Sequence, residues 1–482
     1  MRLGLISLGC DKNTVDSERM LAELVGHGAE RTPVADAEVI LVNTCGFIDA
    51  AKEESIETII EAGRMKRDGA CRSVVAVGCM VERYRDELTD SLPEVDLMLG
   101  LRDLDRLVPE LQARGLLTGP APAGGVHPGE RIPLEARHVR YLKVSEGCDH
   151  GCAFCAIPLW RGKHRSFELE RIVAEAQRLE AQGAVEVNLV AQDLAHWARE
   201  RRDGTDIATL LEALLRETSI PWFRLLYIYS AGLRQPLVEL MAAEARLLSY
   251  IDMPIQHASD TVLHRMRRPE RSATLRTKVA GLRDAIPDLT LRTTVLVGFP
   301  GETDEEFREL VDFLEEVPFD RLGAFAFSPQ DGTRAAGMED SFVPAAVAQE
   351  RLEEVMEVQR AVSGERLAAE IGRERVAVVD APAGAEDPVL GLLYDEPPGA
   401  AQLGRIESQA DDVDGATVLF GAEGLAPGSL VRVEIERAAD FDLAGSVREV
   451  VRPASALAAT MSPAATPGRG LPVLGLDSAW GR

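Results

Sequence analysis

Three runs near the start of the chain are almost wholly apolar and β-branched: RLGLISL (2–8), AEVILVN (37–43) and SVVAVG (73–78). Short apolar runs without polar alternation predict strands covered on both faces, the habit of a parallel sheet. Between them, TVDSERMLAEL (14–24) and AAKEESIETIIEAGRMK (50–66) repeat apolar residues at helical spacing. Strands alternating with helices predict an α/β fold, a doubly wound parallel sheet over residues 1–118. The pattern then dissolves into GPAPAGGVHPGE (119–130), so 119–137 is read as a linker.

The strand–helix rhythm resumes over 138–370. RYLKVS (140–145), VEVNLVAQ (185–192), WFRLLYIY (222–229), YIDMPI (250–255), LRTTVLVG (291–298) and RLGAFAF (321–327) are strand candidates. Helical spacers such as SFELERIVAEAQRLEAQG (166–183) separate them. Six such units without a nucleotide-binding glycine fingerprint predict a partial (β/α) barrel rather than a flat sheet. Over 371–447 the pattern changes again. ERVAVVD, ATVLFG and SLVRVEIERA are short strands broken by Gly, Pro and Asp, which predicts a small β-barrel. The Ala/Pro/Gly-rich end, 448–482, reads as a disordered tail.

Composition adds limits. At 46% hydrophobic residues the 482-residue chain can fill several cores. It has no apolar run of the ~18 residues that a membrane helix needs, and its first apolar run is too short for a secretory signal. A cytoplasmic protein is expected. Seven cysteines, an odd number, then suggest thiol ligands rather than disulfides. The formal charge of −26 disfavours a polyanion as main partner, since such binding draws on Lys and Arg.

The chemistry concentrates in SEGCDHGCAFCAIP (145–158), where Cys148, Cys152 and Cys155 fall at CxxxCxxC spacing just past a predicted strand. A structural zinc would want a fourth protein ligand, for which His150 and His164 are the nearest candidates. A 4Fe–4S cubane takes one ligand per iron, so three cysteines leave one iron open to a small molecule. Buried structural thiols are the third reading. The strand-end position favours the cluster, because barrels place active sites there.

Cys10, Cys45 and Cys79 look scattered, yet each follows the C-terminal end of one of the first three predicted strands. In an open α/β sheet that edge binds ligands, and the three thiols converge if their strands are neighbours. Cys71 precedes its strand, which places it roughly 20 Å from that edge at ~3.3 Å per residue. It serves as an internal control. Buried cysteine as a small hydrophobe is the plain alternative for all four.

The loop resembles the radical S-adenosylmethionine (SAM) superfamily, and two cysteine triads followed by a β-barrel resemble its methylthiotransferases. The resemblance covers about 1–447. It implies that Cys148, Cys152 and Cys155 hold a 4Fe–4S cluster that binds SAM and generates a radical. It further implies a second 4Fe–4S cluster on Cys10, Cys45 and Cys79, a TRAM domain for the terminal barrel, and a low-potential electron donor such as flavodoxin or ferredoxin. ISLGCDKNTVDSE (6–18), NTCGFI (43–48), RGKHRS (161–166), MPIQHASD (253–260), MRRP (266–269) and RTTVLVGFPGET (292–303) look closest to the branch acting on a ribosomal protein. That branch methylthiolates the β-carbon of an aspartate in protein S-twelve of the small ribosomal subunit. Two departures occur. LAHWA follows AQD (191–193) where the branch usually has threonines, and Ser230 stands where Pro is common.

Charge bears on the choice between this branch and those that modify an adenosine of tRNA. From 371 to 446 there are five arginines against fifteen acids. A barrel that grips tRNA should be basic, whereas an acidic one complements a basic protein. Asp411, Asp412 and Asp414 are the expected docking contacts. Gln192 and Asp193 are candidates for SAM, with a helix cap as the alternative for Asp193. Gly298 and Gly301 could admit the adenosine or simply serve a turn. Gln256 and His257 are expected to face the substrate, with a core histidine as the alternative. Arg161, Lys163, His164 and Arg165 could steer the target carboxylate or SAM. An electron carrier without catalysis leaves the two triads and the barrel unexplained.

Overall fold

The computed structural model describes residues 1–69, 71–119, 130–134, 138–384 and 386–454. Most of the expected linker, and the tail from 455, lie outside the described residues.

The first region is a parallel sheet of β1 (Arg2–Ser7), β2 (Glu30–Arg31), β3 (Val39–Thr44), β4 (Ser73–Gly78) and β5 (Leu97–Leu99), in spatial order β2-β1-β3-β4-β5. Helices α1 (Asp11–Gly26), α2 (Asp49–Asp68), α3 (Cys79–Ser91) and α4 (Leu107–Ala113) complete it. Every residue of β3 and β4 is buried, because one face meets Leu21, Leu24 and Leu111 and the other meets Ile59, Met80 and Leu88. Two covered faces explain the missing alternation. The added strands β2 and β5 are too short to make a hydrophobic pattern.

The second region begins with β6 (Val139–Lys143) and a short antiparallel pair, β7 (Ser145–Glu146) and β8 (Arg165–Ser166), that closes the cysteine loop around α5 (Ile157–Trp160). Beyond α6 (Leu169–Ala181) follow β9 (Glu186–Val190), α7 (Ile207–Glu217), β10 (Trp222–Leu225), α8 (Gln235–Ala243), β11 (Leu247–Asp252), α9 (Asp260–Arg265), α10 (Ser272–Ala285), β12 (Thr290–Val297), α11 (Asp304–Glu316), β13 (Arg321–Ala326) and α12 (Ala345–Ala368). The long strands form one parallel sheet, β13-β12-β11-β10-β9-β6. It is left open between its first and last strands, as a partial barrel requires. Leu189, Phe223, Ile251 and Val295 pack against the helices.

The third region is a closed barrel of β14 (Glu374–Pro382), β15 (Ala401–Ile406), β16 (Thr417–Phe420), β17 (Leu430–Ala438) and β18 (Leu443–Arg452), with α13 (Pro388–Leu393) before β15. β18 runs past the boundary expected at 447. β15 and β18 escaped the strand pattern because each carries a glycine that reads as a turn. In the barrel these glycines permit close strand approach. A Cβ on Gly404 would lie 2.3 Å from the Val378 carbonyl oxygen, and one on Gly445 2.2 Å from that of Glu434.

The barrel packs against the sheet of the second region. Val190, Trp222 and Tyr250 meet Val378, Ala410 and Leu430. Beside them a buried ionic network crosses the interface: Glu186 accepts from Arg224 at 2.8 Å and from Arg405 at 2.7 Å, and Arg405 also pairs with Asp380 at 2.9 Å. Burial pushes the Glu186 carboxyl up, but Arg405 and Arg224 outweigh it and hold it below its ordinary value.

Candidate active site

The loop carrying Cys148, Cys152 and Cys155 is anchored by backbone. The Cys148 amide donates to the Gly162 carbonyl at 3.1 Å and the Ala153 amide to that of Met266 at 2.9 Å. Gly147 has φ +78°, and a Cβ there would lie 2.2 Å from the Lys163 carbonyl oxygen, so glycine is required where the two arms of the loop pass. Burial pushes the Cys148 thiol up to about 11 and the Cys155 thiol up to about 12, the neighbouring cysteines adding to it. A metal bound here would have to displace these protons, so its binding releases them. The histidines considered as zinc ligands are engaged elsewhere. His150 Nε2 lies 2.7 Å from Asp193 Oδ2 with its ring stacked on Tyr229, and His164 Nε2 lies 3.1 Å from Ser166 Oγ.

The N-terminal triad forms where its strands end. β1, β3 and β4 are adjacent, and Cys10, Cys45 and Cys79 each leave one of them toward a helix. Cys10 is the N-cap of α1 and Cys79 the first residue of α3, so two helix N-termini face the thiols. Gly9, at φ +87°, lets the chain turn against Cys45; a Cβ there would lie 2.8 Å from the Cys45 Sγ. Burial, then the nearby Cys10, pushes the Cys45 thiol up to about 12. Burial pushes that of Cys79 up to about 11 against the pull of Arg161. Cys71 lies before β4, inside the apolar cluster with Ile40 and Val74. Among the described residues, the side chains that hydrogen-bond the sulfurs of the two triads are Asn13, Arg161 and Arg268, none of which ligates iron. Both sets therefore fit three-thiolate iron–sulfur ligation.

The triads are neighbours. Cys79 shares a small apolar cluster with Ala156, the residue after Cys155, and Trp160. Lys12 completes the approach, its Nζ 3.2 Å from the centre of the Tyr227 ring.

The other expected residues divide. Gln192 bonds Glu146 Oε1 at 3.4 Å, while its own buried Oε1 has no protein partner and is free to meet a ligand. Asp193 both caps and orients, accepting from the amides of Ala195 and Tyr229 and pairing with His150. Burial raises its carboxyl, yet hydrogen bonds from His150 and His196 hold it well below the usual range. Gln256 stands half-buried at φ +70°, a strained backbone of the sort that collects at functional sites.

Four expectations change. His257 is fully buried, its Nδ1 accepting from the Ser259 amide, and burial pushes it down to about 3, which favours the core-histidine alternative. Gly298 is small because α12 passes over it, with a Cβ there 2.5 Å from that of Ala348. Gly301 has room for a Cβ but a φ of +76°. Packing and turn geometry each give a reason for glycine at these two positions, and the turn alternative is kept for them. Asp411 and Asp414 are turned inward, Asp411 3.7 Å from Arg405 and Asp414 accepting from the Tyr250 hydroxyl at 2.8 Å; of the docking trio only Asp412 is exposed. The buried Arg405 claims Asp411, and the Tyr250 hydroxyl and the Ala410 amide claim Asp414. Finally, Arg161 and the His164 side chain are buried, leaving Lys163 and Arg165 as the exposed bases.

Sequence reasoning missed Asn13, Lys12, Tyr229 and Arg268. Arg268 lies 3.9 Å from the Cys152 Sγ and, by its Cζ, 3.9 Å from the Tyr229 ring centre. Its other partner, Glu270, also accepts from Ser230 Oγ at 2.8 Å, which gives the departure at 230 a polar role. A basic MRRP segment was the available signal.

Fold and site together define a radical SAM enzyme with an added N-terminal sheet and a TRAM barrel. Residues 2–100 match "Uncharacterized protein family UPF0004", 142–314 the Radical SAM superfamily and 389–447 the TRAM domain. The chain is 43% identical over 451 residues to the ribosomal protein uS12 methylthiotransferase RimO of Desulforudis audaxviator, covering 92% of this chain and 97% of that one. It is 43% identical over 486 residues to the RimO of Anaeromyxobacter sp. strain Fw109-5, covering 98% and 99%. Among solved structures, the radical SAM methyltransferase TsrM of Kitasatospora setae aligns with TM-score 0.51 at 16% identity over 67% of this chain and 72% of that one, a likeness of fold. The chain belongs to the RimO family of radical SAM methylthiotransferases. Among the described residues no helix is long and apolar enough to cross a membrane.

Proposed function

We propose that this enzyme methylthiolates the β-carbon of an aspartate in ribosomal protein uS12, with one 4Fe–4S cluster on Cys148, Cys152 and Cys155 and a second on Cys10, Cys45 and Cys79. The observation that carries the reading is a pair of three-thiol sets brought to one apolar cluster, in which Cys79 of one joins Ala156, the residue after Cys155 of the other. When bound, the clusters and SAM supply hydrogen abstraction and the methylthio group. The chain's own residues do the rest. The β7–β8 pair and Gly147 fix the loop triad, Asp193 holds His150 against it, and Gln192 offers its unpaired carbonyl oxygen to SAM. A low-potential protein such as flavodoxin or ferredoxin supplies electrons.

The barrel favours a protein substrate over tRNA. Arg373 and Arg375 pair with Glu370, Arg405 with Glu186, Arg432 with Glu449, and Arg437 donates to the Leu393 carbonyl. These cations are committed, while Asp395, Glu396, Glu423 and Glu436 are exposed. Mass spectrometry of uS12 from cells with and without the gene tests the proposal. The modified aspartate should be present only with it; an unmodified uS12 alongside gene-dependent methylthio-adenosine in tRNA would overturn it.

A further inference from the structure

Arg161 belongs to the second region by sequence and to the first by contact. Its side chain is 3% exposed. One terminal nitrogen, Nη2, donates to the Sγ of Cys79 at 3.3 Å and to the Oδ1 of Asn13 at 2.6 Å. The other, Nη1, donates to Glu146 at 2.8 Å and reaches Asp16 at 3.4 Å. Neither end is free to wander. Asn13 is itself fixed, its amide nitrogen donating to the carbonyls of Leu8 at 2.9 Å and Thr44 at 3.2 Å, where β1 and β3 end. On the other side Lys143, at the end of β6, holds Asp16 and Glu146 at 2.5 Å each. A planar fork clamped on both edges presents an N–H to one chosen sulfur with little freedom to turn away.

We propose that Arg161 is a positioning residue for the iron–sulfur centre of the N-terminal triad, donating a charged hydrogen bond to the Cys79 sulfur and thereby raising that centre's reduction potential. This rests on the two-cluster reading. The physical reason is differential. Reduction adds negative charge to the cluster and its sulfurs, so a fixed cation and donor stabilise the reduced form more than the oxidised one. Because the same guanidinium is tied to Glu146, two residues before Cys148, it also sets the register between the two triads.

The test uses the full chain carrying Cys148→Ala, Cys152→Ala and Cys155→Ala, reconstituted anaerobically, so that only the N-terminal centre is present. Its redox equilibrium is titrated by electron paramagnetic resonance with Arg161 intact, as Arg161→Met and as Arg161→Lys. Arg161→Met should shift the oxidised-to-reduced ratio toward oxidised by tenfold or more, about 59 mV for one electron. Arg161→Lys, which keeps charge but loses the fork, should fall between. A merely structural role would lower thermal stability and iron content but leave the potential in place, and that result overturns the proposal. If Arg161→Met fails to hold a cluster, the lysine variant decides: a potential equal to that with Arg161 overturns the proposal, a lower one supports it. A parent chain that binds no cluster at all overturns the two-cluster reading, and this inference with it.

Discussion

Cys148, Cys152 and Cys155 sit on one loop, pinned by β7 and β8 and by the passage of Gly147 beneath Lys163. Cys10, Cys45 and Cys79 come from three strand exits that the sheet order β1-β3-β4 makes neighbours, with Asn13 bonded across the ends of β1 and β3. The loop thiols are half-buried, and in the other set Cys45 and Cys79 are buried while Cys10 is exposed; one set is assembled locally and the other by tertiary structure. The difference has consequences for stability and for chemistry. A loop triad can persist through partial opening of its surroundings. A strand-end triad exists only while three strands stay paired, so its metal site and the fold of the first region stand or fall together.

The largest effect is expected at the loop. Cys148→Ala should abolish reductive cleavage of SAM, measured as 5′-deoxyadenosine after anaerobic reduction, while the N-terminal cluster still forms. Retained cleavage would remove the radical SAM assignment of this triad. Cys45→Ala is the reciprocal cut. It should lose one cluster's worth of iron and all methylthiolated product, yet still make 5′-deoxyadenosine. Loss of both activities in a folded variant would show that the triads are one site rather than two.

This contrast also governs what could be read from the chain. The loop triad is visible as spacing alone. The N-terminal triad became visible only after its cysteines were assigned to strand ends, and it depended on β1, β3 and β4 being neighbours, which apolar runs do not dictate. Arg161 was legible as part of a basic segment but not as a contact of Cys79, because the partner lies in another region. Asp411 and Asp414 failed for the same reason: an acidic run looks solvated until Arg405 and Tyr250 are brought to it by the packing of two regions. Replacing Asp414 by Lys should therefore destabilise the interface by about 1–3 kcal/mol, the range for leaving buried hydrogen-bond donors such as the Tyr250 hydroxyl unsatisfied. Thermal unfolding would show it. Unchanged stability would return this aspartate to the list of docking contacts.

A finer probe separates the triads through glycine. Gly9→Ala places a Cβ against the Cys45 sulfur and forces alanine to φ +87°. The backbone cost alone is about 1 kcal/mol, and the collision displaces a ligand. Iron bound by the N-terminal triad should fall, with 5′-deoxyadenosine formation kept. Full occupancy of both clusters in this variant would mean that the strand ends yield more easily than their packing implies.

The smallest effect is expected at Cys71, and it sharpens the comparison most. This thiol is as buried as Cys45 and Cys79, at 6% exposure against 6% and 7%. It shares the first region with them, and burial likewise raises its proton affinity. It differs in position, lying at the entry of β4 rather than its exit, with its Sγ directed to the Ser73 carbonyl at 3.4 Å. If burial and composition made the metal site, Cys71 would count as a fourth candidate; if strand exits made it, Cys71 is only a small apolar side chain. Cys71→Ala should then cost about 1 kcal/mol in stability and leave iron content, SAM cleavage and product formation at the parent level. Loss of a cluster in that variant would show that the site is not built at the strand ends, and the account of the N-terminal triad would have to be redrawn.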